Sequence, residues 1–231
     1  YGTLEDLADA RRMKGMTEAV ALLLKKIREG APIRIIGDYD IDGVNATHIL
    51  VTGLRKAGAR VDTVIPDRLK DGYGINEHLI EQAKEAGIDT IVTCDNGIAA
   101  AKEIAYAKEL GMTVIVTDHH DLPYREEPDG SRTTILPPAD VIVNPKQADC
   151  PYPYKKLCGA AVAWRLVEVL YQEAGVPREE FLRLAQFAAV ATIGDIMDLT
   201  GENRILVKLG LEMLNRTTNI GMKALILQNK L

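Results

Sequence analysis

The chain has 231 residues and a hydrophobic fraction of 47%, which suffices for one large domain, or one domain with a smaller attachment, around a buried core. It has no run of about eighteen apolar residues and no apolar N-terminal stretch, which excludes a membrane-spanning helix and predicts no secretory signal. Three scattered cysteines argue against a disulfide framework and favour a cytoplasmic protein, and the net charge of -5 argues weakly against a nucleic-acid partner without excluding one.

Strands and helices alternate in the first part of the sequence. Short runs of β-branched and apolar residues predict strands at 33–36, 61–65, 90–94, 113–117 and 141–143. Amphipathic patterns predict helices at 16–29, 44–57, 77–86 and 99–110, and a long loop is predicted at 121–139. This alternation is typical of βαβ units, so we predict an α/β fold with a parallel β-sheet flanked by helices.

The pattern changes after Pro153, where helices follow one another without an intervening strand. They are predicted at 159–174, 178–192, 202–215 and 220–229. We therefore divide the chain into an α/β portion at 1–150, which carries the metal-binding motifs, and a helical portion at 151–231 of the same domain, which packs against it and completes the site.

The motif GDYDIDG follows the first predicted strand and contains three alternating aspartates, Asp38, Asp40 and Asp42. In extended backbone these would share one face, and carboxylates so close together repel one another unless a cation lies between them. Such oxygen ligands favour magnesium, manganese or calcium over zinc. An acidic turn is the simpler alternative. An EF-hand does not fit, because the motif follows a strand and its twelfth position, counted from Asp38, is Ile49 rather than glutamate.

Two further motifs follow the third and fourth predicted strands. TCDNG contains Asp95 and Asn96, and on its own it is better interpreted as a turn in which one of them caps the following helix. VTDHHD contains Asp118, His119 and His120. His119 can bind a cation through one ring nitrogen while a carboxylate orients the other, although paired surface histidines also occur by chance.

The three motifs together predict a metal centre. The carboxyl ends of parallel strands lie along one edge of a sheet, where binding sites form. The fold would therefore bring five potential ligands to that edge: Asp40, Asp42, Asp95, Asp118 and His119. Three unrelated turns have little reason to be so rich in metal ligands.

The motifs resemble those of the DHH phosphoesterases and, within that family, of the RecJ-like exonucleases specific for single strands. GDYDIDG, TCDNG and VTDHHD are similar to the first three motifs of the family. The segments PDRLKDGYGIN at 66–76, VIVNPKQADCPYPYKKLCGAAVAW at 141–164 and ATIGDIMDLTGENR at 191–204 resemble RecJ-like sequences. The resemblance thus extends over 33–204.

The resemblance implies a centre for two Mn²⁺ or Mg²⁺ ions. Five residues would bind them: Asp40 at the first ion, Asp42, His119 and Asp195 at the second, and Asp95 between both. His120 would lie beside the scissile phosphate as a catalytic residue, with Asp118 behind the histidines. Asp38 is grouped with these catalytic residues, but it could equally be a ligand, a residue that supports a ligand, or a helix cap. Some family members have a histidine at the position of Ile36, so the first ion is expected to be held more weakly here or with more water.

The implied activity is 5′-to-3′ removal of nucleotides from single-stranded DNA, with RNA as an alternative substrate, in DNA repair and recombination. Basic and aromatic residues near the expected site are candidates for contacts with such a strand. The candidate substrate-binding residues are Arg68, Tyr73, Asn144, Lys155, Lys156 and Gly159, with Tyr152 and Tyr154 of the YPYKK run as further candidates for stacking. Asn144 and Gly159 are included on the resemblance alone. For the lysines and tyrosines, a solvated surface or packing within a loop is the simpler alternative.

RecJ-like proteins continue into a second domain that grips the substrate, and this C-terminal domain is expected to be missing from the chain. Repair or replication proteins are candidate partners. One alternative function is that of a DHH phosphatase on oligoribonucleotides, cyclic dinucleotides or pyrophosphate, against which the insert NPKQADCPYPYKKLCG at 144–159 argues. Another is a catalytically silent module that binds nucleic acid, although such a module would be expected to have lost acidic ligands that are intact here.

Overall fold

Five parallel strands form the central sheet of the protein in a computed structural model that describes residues 2–229. In chain order the strands are β1 (Ile33–Ile36), β2 (Val61–Val64), β3 (Thr90–Cys94), β4 (Thr113–Thr117), β5 (Tyr124–Glu126), β6 (Arg132–Thr134) and β7 (Val141–Val143). The sheet order is β2-β1-β3-β4-β7 with every neighbouring pair parallel, whereas β5 and β6 form a separate antiparallel pair. The predicted α/β fold with a parallel sheet is confirmed.

Helices cover both faces of the sheet, as predicted. They are α1 (Met16–Arg28), α2 (Ile41–Lys56), α3 (Glu77–Glu85), α4 (Ala101–Glu109), α5 (Gly159–Ala174), α6 (Arg178–Arg183), α7 (Ala185–Gly194), α8 (Gly201–Leu214) and α9 (Ile220–Gln228). Successive side chains of β1 point to opposite faces, so Ile35 lies in a core with α1, α2, α5 and α7, and Ile36 lies in a second core with α3 and α4. Both isoleucines are fully buried, which accounts for the continuous apolar run of this strand. Among the helices of residues 2–229, none is long and apolar enough to cross a membrane.

The helices after residue 150 pack on the α/β portion through α2. Both α5 and α7 lie against α2. Gly53 of α2 lies so close to α5 that a Cβ on it would be 2.5 Å from Cγ2 of Val167. This close approach of two helices requires a residue without a side chain at Gly53. The division of the chain near residue 150 stays a prediction.

Two predicted elements are wrong in detail. The single helix predicted at 178–192 consists of α6 and α7, which meet at Leu184. There the N–H of Phe187 bonds the Leu184 carbonyl at 3.1 Å while the N–H of Ala188 lies at 3.5 Å, so the turn is tightened. The loop predicted at 121–139 contains the hairpin of β5 and β6, whose short exposed strands carry no apolar pattern that could reveal them.

Candidate metal centre

The start of α2 fixes Asp40 and Asp42. Asp40 is the N-cap of the helix, and its Oδ1 accepts hydrogen bonds from the N–H groups of Asp42 and Gly43, at 2.9 and 2.8 Å. Asp42 lies in the first helical turn and is fully buried. The expectation that the three aspartates of GDYDIDG share one face of extended backbone is therefore wrong, because the chain turns into a helix at Ile41 rather than at 44.

The carboxylate of Asp42 is held from the start of α5. Its Oδ2 and Oδ1 accept hydrogen bonds from the N–H groups of Gly159 and Ala160, at 2.6 and 2.7 Å. A helix N-terminus favours a carboxylate because its N–H groups lack partners and its dipole end is positive. Gly159 also lies against Asp95, since a Cβ on it would be 2.6 Å from the Asp95 Cβ. The contact made by Ala160 could not be found from the sequence, because Ala160 contributes only its main-chain N–H to it.

Asp95 follows β3 in a left-handed backbone conformation, with φ of 62°. This conformation is uncommon for residues other than glycine and turns the chain sharply at the end of the strand. The Asp95 N–H donates to the carbonyl of Thr117 at 3.1 Å, and the Asp95 carbonyl accepts from the hydroxyl of Tyr73 at 2.8 Å. The alternative in which Asp95 or Asn96 caps a helix is wrong, because α4 begins only at Ala101.

Asn96 instead joins the ends of two strands. Its side-chain amide donates to the carbonyls of Ile36 and Cys94, at 3.1 and 2.9 Å, and its Oδ1 accepts from the N–H of Ile75 at 3.2 Å. Asn96 thereby also anchors the loop that carries Tyr73. Sequence reasoning missed this role, because a short polar side chain after a strand is equally suited to a cap or a turn.

Asp118 organises the two histidines that follow β4. It is 1% exposed and accepts hydrogen bonds from the backbone N–H groups of His119 and His120, at 2.7 and 3.0 Å. Its Oδ1 also lies 2.7 Å from Nδ1 of His120, and the amide of Asn144 donates to the His120 carbonyl at 3.0 Å. Asp118 thus orients the ring of His120. The expectation that a carboxylate also orients the second ring nitrogen of His119 is wrong, because this Nδ1 has no partner within residues 2–229.

Three groups of side chains at this sheet edge could each hold a metal ion. They are Asp38, Asp40 and Asp95; Asp95, His119 and His120; and Asp42, His119 and Asp195. Within each group the potential ligand atoms lie within 4.8 Å of one another. His119 Nε2 is 3.1 Å from Oδ1 of Asp95 and 3.5 Å from Oδ2 of Asp42. It is also 3.8 Å from Oδ2 of Asp195, which the end of α7 brings to the sheet edge. The three groups are therefore contiguous, and we call them the metal groups.

The state of these side chains fits a bound divalent cation. Two of their buried carboxylate oxygens lack a hydrogen-bond partner among the described residues: Asp38 Oδ1 and Asp95 Oδ1. Burial, followed by the charges of neighbouring aspartates, raises the pKa of Asp95 to about 11. Burial also raises the pKa of Asp38 and of Asp195, and it lowers the pKa of His119, which favours the neutral ring that binds metals. A cation among these groups would stabilise the ionised carboxylates.

His120 differs from His119 in charge and in access to solvent. Its hydrogen bond with Asp118 raises the pKa of His120 against the opposing effect of burial, and its side chain is 45% exposed. Burial acts to raise the pKa of Asp118, but the hydrogen bond with His120, the charge of that ring and the backbone hydrogen bonds together hold this pKa below its usual range. The Asp118 carboxylate therefore favours a protonated His120 ring, which is accessible from solvent.

Three of the predicted substrate-binding residues contact the metal groups: Tyr73, Asn144 and Gly159. The guanidinium of Arg68 lies 5.4 Å from the ring centroid of Tyr39, the residue between the first two aspartates of GDYDIDG. The Tyr73 hydroxyl lies 3.4 Å from a ring nitrogen of His120 as well as bonding Asp95. Both residues belong to the loop after β2, which therefore borders the site.

Lys155 and Lys156 make contacts with other parts of the protein. The Nζ of Lys155 donates to the carbonyl of Cys150 at 2.7 Å, and that of Lys156 pairs with Asp198 at 2.5 Å. Neither contact involves a residue of the metal groups. Their predicted role in substrate binding stays a prediction.

Tyr152 and Tyr154 pack within the protein, which excludes Tyr152 from stacking on a substrate. Tyr152 is fully buried, with its hydroxyl 2.5 Å from Oε2 of Glu202. Tyr154 is partly buried, and its hydroxyl donates to the carbonyl of Thr200 at 2.9 Å. The Tyr-Pro run is loop packing, which was the simpler alternative.

Comparisons with known proteins agree with this geometry. The model of the DHH family, N-terminal domain, matches residues 32–192. The chain is 45% identical over 221 residues to the single-stranded-DNA-specific exonuclease RecJ of Bacillus subtilis, covering 96% of this chain and 26% of that protein. It is 40% identical over 213 residues to the protein of the same name from Thermus thermophilus, covering 92% of this chain and 30% of that protein.

Solved structures give the same result. A crystal structure of exonuclease RecJ bound to manganese has 38% sequence identity and a TM-score of 0.80, over 93% of this chain and 51% of that one. A crystal structure of RecJ from Thermus thermophilus in complex with Mg²⁺ has 33% identity and a TM-score of 0.63, over 93% of this chain and 25% of that one. The chain thus spans between about a quarter and about half of these relatives. Because the family model covers most of its length, including the sheet and the motifs that follow β1, β3 and β4, the chain belongs to the DHH family.

Proposed function

We propose that this chain is the catalytic part of a two-metal exonuclease that removes nucleotides from single-stranded DNA in the 5′-to-3′ direction. The observation that carries the proposal is the contiguous set of metal groups joined through Asp95 and His119. The names of the relatives from Bacillus subtilis and Thermus thermophilus support this substrate, and RecJ structures with manganese and magnesium support the choice of cation. The reaction is a hydrolysis of the phosphodiester bond.

Asp95 would contribute a ligand to the sites of both ions. Asp38 and Asp40 would complete the first site, which relies on carboxylates because Ile36 supplies no ligand. The second site would take its ligands from the group of Asp42, His119 and Asp195. When bound, Mn²⁺ or Mg²⁺ would lower the pKa of a bound water and stabilise negative charge on the phosphate.

His120 would act on the substrate and Asp118 would position it. A His120 ring held at 2.7 Å from Asp118 and 45% exposed can donate a hydrogen bond or a proton to a phosphate oxygen or to the leaving group. Asp118 is almost completely buried and points away from solvent, so it acts through His120 rather than on the substrate itself. The Asn144 amide supports the same segment through the His120 carbonyl.

The DNA strand would approach along the loop after β2. Tyr73 is 53% exposed beside His120 and offers a ring for stacking, and Arg68 offers a cation for a phosphate near the aspartates of GDYDIDG. These two residues add a local attraction for a strand to a chain whose net charge is -5. Lys155 and Lys156 would contact a strand through the N–H donors that their present partners leave free.

The proposed setting is DNA repair and recombination in the cytoplasm, where repair or replication proteins are candidate partners. The three cysteines are unpaired thiols, as is usual for a protein of a reducing compartment. A further domain of the same protein would grip the substrate, because the RecJ relatives are much longer than this chain.

The test is release of labelled nucleotide from 5′-labelled single-stranded DNA with Mn²⁺, with EDTA and with the variant Asp95→Ala. The expected result is release that needs Mn²⁺ and is lost in the variant. Asp149→Ala is the matched control, because Asp149 is an exposed aspartate that pairs with Lys14 at 2.6 Å and belongs to none of the metal groups. The control variant should release nucleotide at the unmodified rate.

Other substrates test the direction and the kind of strand. The proposal predicts slower release from a 3′ label, from duplex DNA and from RNA of the same sequence. Faster turnover of cyclic dinucleotides, short oligoribonucleotides or pyrophosphate would overturn it in favour of a phosphatase. Binding of DNA without any metal-dependent release would favour a catalytically silent module.

A further inference from the structure

Ile196 combines two unfavourable features beside the proposed metal centre. Its backbone is left-handed, with φ of 55°, a conformation in which a β-branched side chain is crowded by its own main chain. Its side chain is also exposed, with a relative exposure of 89% for the residue. Within residues 2–229, Asp95 is the other non-glycine residue with a positive φ. Strain of this kind commonly occurs at functional sites, where something other than folding maintains it.

The end of α7 does not account for an isoleucine at this position. The N–H of Ile196 bonds the carbonyl of Ile193 and the N–H of Met197 bonds that of Thr192, both at 3.1 Å. This is the Schellman arrangement, in which the left-handed residue is usually glycine. Glycine would make the same backbone hydrogen bonds without the steric cost of a β-branched side chain. Formation of the helix end therefore does not explain why residue 196 is isoleucine, and we infer that its side chain has another role.

Ile196 belongs to an apolar rim that borders the metal groups. We define the rim as Ile41, Ile193 and Ile196, of which the first two are 44% and 45% exposed. Ile41 covers Gly194, since a Cβ on that glycine would be 2.5 Å from Cδ1 of Ile41. Asp195, the residue between Gly194 and Ile196, reaches to 3.8 Å from His119. A phosphodiester at the metal groups would therefore bring a neighbouring nucleotide over the rim.

We propose that the apolar rim is a subsite for a nucleobase next to the scissile phosphate, with Ile196 as its main contact. The inference rests on the proposed function. Aliphatic side chains have little to offer a phosphate or a sugar hydroxyl, but they pack well against the face of an unstacked base. An unpaired strand exposes base faces, whereas a duplex hides them in the stack. The rim would thus help to select single strands.

Two substitutions separate this role from a purely structural one. Ile196→Gly and Ile196→Asn both suit a left-handed backbone and both remove the apolar surface. Each should raise the midpoint of thermal unfolding, by about 2–4 °C for a chain of this length. Each should also weaken binding of a thymidine oligomer about fivefold to tenfold, because the base loses an apolar contact. Removal of a structural residue would instead lower both stability and affinity.

The binding measurement uses two fluorescent oligomers with phosphorothioate linkages, which slow hydrolysis. One carries thymine bases, and the other has the same backbone with abasic sugars. In both variants the loss should be confined to the oligomer with bases. Ile220→Asn is the matched control, because Ile220 is 85% exposed on α9 and lies in none of the metal groups. This control should bind both oligomers like the unmodified chain.

The outcomes distinguish the inference from the proposed function. Higher stability with unchanged affinity for both oligomers would overturn the inference and leave the exonuclease proposal intact. The rim would then contact another part of the protein rather than a nucleobase. Equal losses for the oligomers with and without bases would also overturn it, because the contact would then be with the backbone. Failure of the unmodified chain to bind either oligomer or to release nucleotide would overturn the proposed function and the inference together.

Discussion

The backbone N–H of Gly159 lies 2.6 Å from Oδ2 of Asp42, a residue 117 positions earlier in the chain. The same glycine leaves no space for a side chain, since a Cβ would lie 2.6 Å from that of Asp95. We therefore expect Gly159→Ala to displace one of these two carboxylates and to lower the affinity for Mn²⁺ about 10–100-fold. Titration calorimetry with Mn²⁺ measures the change.

Gly221→Ala is the matched control for this substitution. Gly221 lies near the start of α9, as Gly159 lies at the start of α5, and the nearest atom to a Cβ there is Asn219 Oδ1 at 3.3 Å. The control should bind Mn²⁺ like the unmodified chain. Equal affinities in the two variants would show that the close approach of Gly159 is not needed for the metal centre.

Asp95→Asn should have opposite effects on stability without and with metal. In EDTA the amide removes a carboxyl whose ionisation is opposed by burial and by Asp42, so the midpoint of unfolding should rise by about 2–4 °C per kcal/mol gained. With Mn²⁺ at a hundred times its dissociation constant, the unmodified chain should gain about 2.7 kcal/mol and the variant much less. Thermal denaturation in both buffers tests this. A variant that is less stable in EDTA yet still stabilised by Mn²⁺ would contradict the assignment.

Stabilisation by Mn²⁺ should decrease as the pH falls. The pKa values of Asp38, Asp95 and Asp195 are raised in the folded chain, so without metal these groups destabilise the fold increasingly as the pH rises above their ordinary pKa of 3.8. Mn²⁺ binds the ionised carboxylates and competes with protons. The difference between the unfolding midpoints in Mn²⁺ and in EDTA should therefore shrink from about pH 8 to about pH 6.

Taking the difference between the unfolding midpoints in Mn²⁺ and in EDTA also cancels the effect of His48, whose titration is unrelated to metal binding. Burial lowers the pKa of His48, so stability is lost on acidification as this group begins to bind a proton more readily in the unfolded chain. That loss occurs equally with and without metal. A metal-induced shift that is constant over the same pH range would contradict proton competition at the aspartates.

Asp118→Asn should change the pH dependence of DNA cleavage. The hydrogen bond with Asp118 raises the pKa of His120, and an amide of the same shape would no longer do so. If protonated His120 assists the reaction, loss of activity on the alkaline side should begin at lower pH, and the rate near neutral pH should fall about 10–100-fold. The rate as a function of pH provides the measurement. If activity is lost at the same alkaline pH in the variant, His120 is not the proton donor.

Tyr152→Phe should destabilise the protein more than Tyr154→Phe. The hydroxyl of Tyr152 is buried and bonds a carboxylate of Glu202 at 2.5 Å, so its removal should cost about 1.5–3 kcal/mol of unfolding free energy. The hydroxyl of Tyr154 bonds the Thr200 carbonyl at 2.9 Å in a more exposed position, and its loss should cost less. Denaturant unfolding of both variants compares them. Equal costs would mean that the Glu202 contact contributes little.

The sheet and its ligand-bearing edge could be predicted from the sequence because the residues that determine each strand and its following motif are neighbours in the chain. Each strand is a short apolar run, and Asp40, Asp95 and His119 each lie within four residues of the end of one of three strands. Contacts between distant segments could not be derived in this way. Asp195 was assigned through the resemblance to a family, since nothing in its own neighbourhood indicates that α7 ends beside His119.

Backbone conformation was the other part that the sequence did not reveal. The pattern of GDYDIDG is compatible with an extended strand or with a helix start, and the cap formed by Asp40 decides for the helix. The left-handed conformation of Ile196 occurs at a β-branched residue, a type that seldom adopts it, so residue preference argues against it. Positions where local preference fails in this way are often functional.

The hydrogen bonds from Gly159 and Ala160 to Asp42 have a consequence for the order in which the chain folds. Contacts between residues so far apart in sequence require closure of a long loop and tend to form late. During synthesis, the first motif leaves the ribosome well before α5 and Asp195, so a nascent chain would hold its aspartates without the groups that complete their site. We expect a chain ending at residue 150 to bind Mn²⁺ weakly, and activity to arise only when the second portion docks. Under the proposed function, the metal centre would therefore be complete only after α5 and α7 have packed beside the first motif.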